Sequence, residues 1–149
     1  MEWDPLERKL ASGGHDGHVR LWDPKTGKPL GDAMKGHSKW VTSLAWEPVH
    51  LCVIVYVISS MILMSWIRNP STPRLASSSK DGTVRVWSTA TRKLEYALGG
   101  HTASVNVVKW GGGGLNGHGV LYTASSDRTV RVWDARAVGI SFYLQHSTT

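Results

Sequence analysis

One thirteen-residue pattern, met three times, limits what this chain can fold into. It reads Leu10-Ala-Ser-Gly-Gly-His-Asp16-Gly-His-Val-Arg-Leu-Trp22, then Leu75-Ala-Ser-Ser-Ser-Lys-Asp81-Gly-Thr-Val-Arg-Val-Trp87, then Leu121-Tyr-Thr-Ala-Ser-Ser-Asp127-Arg-Thr-Val-Arg-Val-Trp133. Each copy sets an Asp six positions before a Trp, and a hydroxyl (Ser12, Ser77 or Thr123) four positions before the Asp. A further Trp precedes each copy at Trp3, Trp46 and Trp110, and Gly-His pairs follow the first two at Gly36-His37 and Gly100-His101. Self-similarity at such a period marks stacked supersecondary units rather than one irregular core. The period is 46 residues from Trp87 to Trp133 and 65 from Trp22 to Trp87, and the excess lies between Trp46 and Leu75.

Within each unit apolar and polar residues alternate over short runs, the period of a strand with one face buried. Trp40–Trp46, Ser104–Trp110, Arg74–Ser78, Thr83–Trp87 and Leu94–Leu98 read as strands, with Asp81-Gly82 as a tight turn between two of them. No capped segment carries a 3.6-residue apolar stripe, so no helix is predicted. With 41% hydrophobic residues the chain is too apolar for a disordered class. A single cysteine, Cys52, excludes an internal disulfide framework and a Cys-based zinc cluster.

Four strands per unit of about 45 residues, marked by Gly-His and Trp-Asp, resemble the WD-repeat (WD40) β-propeller. The expected fold is therefore all-β: about three four-stranded antiparallel blades of a propeller whose ring is not closed. Residues 1–36 are a partial blade of three strands with its link onward. Residues 37–100 are a second blade with a foreign apolar insert at about 51–72. Residues 101–136 form a third blade, and 137–149 a poorly matching tail. The resemblance implies a buried hydrogen-bonded chain in each blade, from His37 through Asp81, Ser77 and Trp87, and from His101 through Asp127, Thr123 and Trp133. The first unit keeps only Ser12, Asp16 and Trp22. It also implies that loops entering each blade share a face with the turns between its two middle strands. That face would hold Lys39, Trp40, His15, Lys80 and Ser126 as candidate partner-binding residues. For Trp40, an exposed anchor and an inward-packed start of a strand are both open.

Longer strings narrow the resemblance. Trp22-Asp-Pro-Lys-Thr-Gly-Lys, Gly36-His-Ser-Lys-Trp-Val-Thr-Ser-Leu-Ala-Trp-Glu-Pro-Val-His50 and Val107-Val-Lys-Trp-Gly-Gly112 are similar to the Notchless family of WD-repeat ribosome assembly factors. What this implies is a non-enzymatic scaffold in assembly of the large (60S) ribosomal subunit, in the nucleolus and nucleus, with protein partners and pre-60S particles. A midasin-type ATPase would be met only through an N-terminal domain that is not expected here. The alternatives are a generic WD40 adaptor of another complex, a ubiquitin ligase or signalling assembly, and a membrane-anchored protein.

Several sharper chemistries weigh less. Ser, His and Asp suggest a hydrolase triad, but a triad occurs once per site, whereas this set recurs with the blade, so no catalytic residue is assigned. His15 and His18 have no third ligand nearby, so no metal is expected. Gly111–Gly114 lacks the Gly-Lys-Ser/Thr ending of a phosphate loop and opens no helix, so no cofactor is expected. The formal charge of +6 leaves rRNA contact open as a further partnership. Leu51–Ile67 carries no charge over seventeen residues, near the length of a membrane span. It interrupts one blade, and spanning a bilayer there would separate two strands of one sheet. An insertion foreign to the fold, in a truncated product, is therefore preferred, and a membrane partner is not expected.

Overall fold

The structure is a computed structural model that describes residues 1–6, 8–48, 73–111, 119–134 and 140–145, the last for its backbone. The insert expected at about 51–72, with its uncharged core 51–67, lies outside the described residues. Among the described residues no helix is long and apolar enough to cross a membrane.

Among the described residues eleven strands form three antiparallel sheets. The first holds β1 (Glu2–Trp3), β2 (Leu10–Gly13) and β3 (Val19–Trp22) in that order. The second holds β4 (Val41–Trp46), β5 (Leu75–Ser79), β6 (Val84–Trp87) and β7 (Leu94–Leu98). The third holds β8 (Val105–Gly111), β9 (Val120–Ser125), β10 (Thr129–Asp134) and β11 (Ile140–Gln145). The first sheet has three named strands, and bridges from Met34 to Val19 and from Pro29 to Trp22 stand where the others have a fourth. Part of the poorly matching tail supplies β11, which pairs with β10 along its length.

Every sheet is a meander, so each strand pairs with its sequence neighbour, and the repeat sets the register. Leu10, Leu75 and Leu121 face Trp22, Trp87 and Trp133 across the central hairpin of each sheet. A register shift recurs near the start of the inner strand, between Val41 and Ser43 and again between Val105 and Val107. Such shifts bend a strand and increase its twist.

Strand alternation gives each sheet two apolar faces, and stacking buries the faces that meet, while Val107, Tyr122 and Val130 on the other face of the third sheet are exposed. Ala11, Val19, Leu21 and Met34 of the first sheet pack with Leu44, Trp46, Leu75 and Trp87 of the second. The other face of the second sheet (Ala76, Val84 and Val86) packs with Val105, Val108, Leu121 and Trp133 of the third. Burial of a Val or Leu side chain contributes about 1.5–3 kcal/mol, whereas a typical hydrogen bond contributes about 1 kcal/mol net. Apolar packing therefore holds the stack, and polar contacts fix how it is aligned. Two of those contacts cross between sheets: Trp46 Nε1 donates to Glu2 O at 3.0 Å, and Thr42 Oγ1 donates to Val105 O.

Candidate functional site

In the second and third sheets the Asp-Gly and Asp-Arg turns place a carboxylate beside the loop that enters that sheet. In the second sheet Asp81 Oδ1 accepts from Thr83 N at 2.9 Å and Thr83 Oγ1 at 2.6 Å. Its Oδ2 accepts from Ser38 N at 3.0 Å and lies 3.0 Å from His37 Nδ1. Burial alone would raise this carboxyl's pKa, but those donors outweigh it and hold it down to about 2. An ionised Asp81 makes Nδ1 of His37 the protonated nitrogen, which donates to the carboxylate. His37 Nε2 then accepts from the Ser77 hydroxyl at 2.8 Å, and Ser77 Oγ accepts from Trp87 Nε1 at 2.8 Å. Desolvation pushes the His37 pKa below its ordinary value despite the Asp81 hydrogen bond and charge, so the ring is neutral.

The third sheet repeats the arrangement atom for atom. His101 Nδ1 lies 2.7 Å from Asp127 Oδ2, its Nε2 lies 2.8 Å from Thr123 Oγ1, and Trp133 Nε1 donates to Thr123 Oγ1 at 2.9 Å. Thr129 and Thr102 supply the remaining donors to Asp127. Against burial, these hold the Asp127 carboxyl well below the usual range. Ser77 is fully buried and Thr123 almost so, so both hydroxyls are closed to any substrate. A nucleophile must reach its target, and these four-residue chains are built as internal ties.

The first sheet keeps half of the chain. Trp22 Nε1 donates to Ser12 Oγ at 2.8 Å. Asp16 has no histidine of the Gly-His type and is exposed. It takes the Arg20 guanidinium and the His18 backbone N–H instead, and these hold its carboxyl well below the usual carboxylate range, the Arg20 hydrogen bond first.

Above these ties lies the loop face. His15 stacks flat on Trp40, ring centroids 3.8 Å apart and planes within 6°. Lys80 Nζ sits 3.9 Å from the centroid of the same indole. Trp40 is 44% exposed, so its side chain lies at the surface rather than in the core. The structure thus joins His15, Trp40 and Lys80, contributed by both of the first two sheets. Lys39 is exposed beside them in sequence. Ser126 occupies the turn position of Lys80 one sheet further on, where it accepts from Asn106 Nδ2 at 3.0 Å in a separate polar group. At the far end of the inner strands, Trp3, Trp46 and Trp110 line one cleft of about 380 Å³. No cluster of three His, Cys, Asp or Glu able to hold a metal occurs among the described residues.

A family model for the WD domain, G-beta repeat, matches residues 1–23, 27–88 and 92–134. The chain belongs to the WD40 repeat family. Among curated relatives, this WD40 chain is 38% identical over 112 residues to Protein Notchless of Drosophila melanogaster, covering 75% of the chain and 18% of that protein. It is 50% identical over 109 residues to Ribosome assembly protein 4 of Saccharomyces cerevisiae, covering 73% of the chain and 18% of that protein. The Notchless resemblance read from the longer strings is met by these relatives. The chain spans about a fifth of the length of both. A solved structure titled Structure of U3-55K matches with a TM-score of 0.73 at 19% identity, covering 97% of this chain and 38% of that one. That match establishes the propeller fold alone.

Sequence reasoning passed over several members of the WD40 ties. Thr83 and Thr129 each give the turn aspartate two donors, and the signal was present as a Thr two positions after Asp81 and Asp127. Arg74 was also missed. Its guanidinium makes paired bonds to Glu47 at 2.9 and 3.1 Å, reaches Tyr96 Oη at 3.2 Å and lies 5.1 Å from the Trp110 ring centroid. Nothing in its spacing marked it, because its partners come from three different strands or their ends.

Proposed function

We propose that this chain is part of a non-enzymatic WD40 scaffold that acts in assembly of the large ribosomal subunit, binding protein partners and pre-60S particles in the nucleolus and nucleus. The observation that carries this reading is 38–50% identity, over about three quarters of the chain, to Notchless and ribosome assembly proteins. The geometry supports it in two ways. In the second and third sheets the recurring Ser or Thr, His and Asp are engaged with one another in buried ties. The loop face, by contrast, offers Lys39, Trp40, His15, Lys80 and Ser126 on neighbouring turns, and a partly exposed Trp flanked by Lys is the kind of side chain that anchors protein interfaces. Direct rRNA contact is a secondary expectation from its basic charge.

Affinity purification of the tagged chain from growing cells tests this reading. Large-subunit precursor rRNA and assembly factors should co-purify, and the tagged chain should concentrate in nucleoli. Recovery of a ubiquitin ligase or a signalling complex without ribosomal precursors would overturn it in favour of a generic adaptor.

A further inference from the structure

We propose that the His15–Trp40–Lys80 group, with Lys39, is a docking point for an acidic segment of a partner protein. This rests on the scaffold reading and gives its loop face a ligand chemistry. The inference begins with the indole's two faces. The His15 imidazole lies parallel to the ring and fills one face. The Lys80 ammonium, only 3.9 Å from the centroid, must therefore occupy the other. Neither face is free to stack on a base or on another ring. What the exposed Trp40 presents outward is its edge, which is the electropositive part of an aromatic ring.

Two lysines stand beside that ring. Lys39 and Lys80 are both exposed, and a lysine supplies three donors and no acceptor. The carboxylates of the two neighbouring turns are already committed. Asp16 is held by Arg20 and His18, and Asp81 turns inward to His37, Ser38 and Thr83. The spot is thus a compact set of donors around a rigid aromatic, complementary to a Glu or Asp side chain.

The same observations argue against nucleic acid as the occupant. Single strands are held by free aromatic faces and by a basic groove that tracks the backbone. Here the faces are covered. The aromatic–lysine group is also not repeated on the third sheet, where the equivalent positions are Ala103, Ser104 and Ser126, with Ser104 and Ser126 hydrogen-bonded to Asn106, and Arg128 is the one basic residue of that turn.

The test uses the full 149-residue chain and two fluorescent probes of equal charge: a Glu-rich peptide and an oligouridylate, each about ten units long. Binding is read by anisotropy at low and at physiological salt. The peptide should bind more tightly than the RNA at both. Lys39→Ala with Lys80→Met, which keeps the aliphatic stem over Trp40, should weaken the peptide about ten-fold or more. Trp40→Phe, which keeps a ring but removes the N–H, should weaken it about two- to five-fold. Circular dichroism and melting curves that match the parent chain verify that each variant is folded. Tighter RNA binding, lost in the same variants, would overturn the proposal in favour of a nucleic-acid contact. Peptide binding unchanged in both variants would overturn it outright. A chain that binds the peptide here yet recovers no ribosomal precursors from cells would retain the site and refute the assembly role.

Discussion

His37 Nδ1 and Asp81 Oδ2 lie 3.0 Å apart although 44 residues separate them in the chain. The bond ties the loop that enters the second sheet to the turn between β5 and β6, and His101 and Asp127 repeat it in the third sheet at 2.7 Å. Replacing Asp127 by Ala strands the donors of His101, Thr102 and Thr129. Each buried group left unpaired costs about 1–3 kcal/mol, and each kcal/mol lowers Tm by roughly 2–8 °C. Calorimetry on Asp127→Ala should show a fall of that size. Loss of a hydrolytic activity at unchanged Tm would refute the structural role.

The same ties predict how stability follows pH. His37 is neutral in the fold, its pKa lowered by burial from about 6.5. Its contribution is complete above that value and is lost as pH falls through the lower, folded value. Asp81, held down to about 2 from 3.8, contributes above its ordinary range and loses that contribution as pH falls towards 2. Tm should therefore drop in two stages on acidification, the first beginning below pH of about 6.5. His37→Gln should remove most of the first stage, measured against its own Tm at neutral pH. A Tm that rises between neutral pH and about 5 would contradict the assignment.

The parts of this architecture that repeat were legible before any coordinates, and the parts that occur once were not. Leu10, Leu75 and Leu121 opposite their tryptophans could be read from spacing, because strand alternation and hairpin register are local. The His37–Asp81 pairing spans most of a blade, and it became readable only through resemblance to a known repeat. The stack of His15 on Trp40 was out of reach. It depends on how two sheets rotate against each other, and no period encodes that. Arg74 met its partners through the same kind of contact between separate strands.

Arg128 holds φ at +65°, where the matching turns have Gly17 at +74° and Gly82 at +82°. A left-handed conformation is strained for a residue with a Cβ and free for glycine. Arg128→Gly should stabilise the chain by about 1 kcal/mol, seen as a higher urea midpoint with an unchanged slope. A lower midpoint would mean that the arginine side chain contributes more than its backbone costs.

Gly13 marks a close approach of the first two sheets, since a Cβ there would lie 2.4 Å from Val41 Cγ1. Gly13→Val should separate β2 from β4 and destabilise the stack by about 1–3 kcal/mol. It should also loosen the His15–Trp40 contact. Urea denaturation reads the first effect, and weaker acidic-peptide binding reads the second. A neutral substitution would contradict the packing of these two sheets.

Buried ties build the WD40 blades, and the proposed assembly role rests on the loop face. Sucrose-gradient co-sedimentation with large-subunit precursors, comparing the parent chain with Lys39→Glu/Lys80→Glu, tests it most directly. The parent chain should travel with the precursors, and the double variant should stay at the top of the gradient with an unchanged melting curve. A folded double variant that still co-sediments like the parent would contradict it.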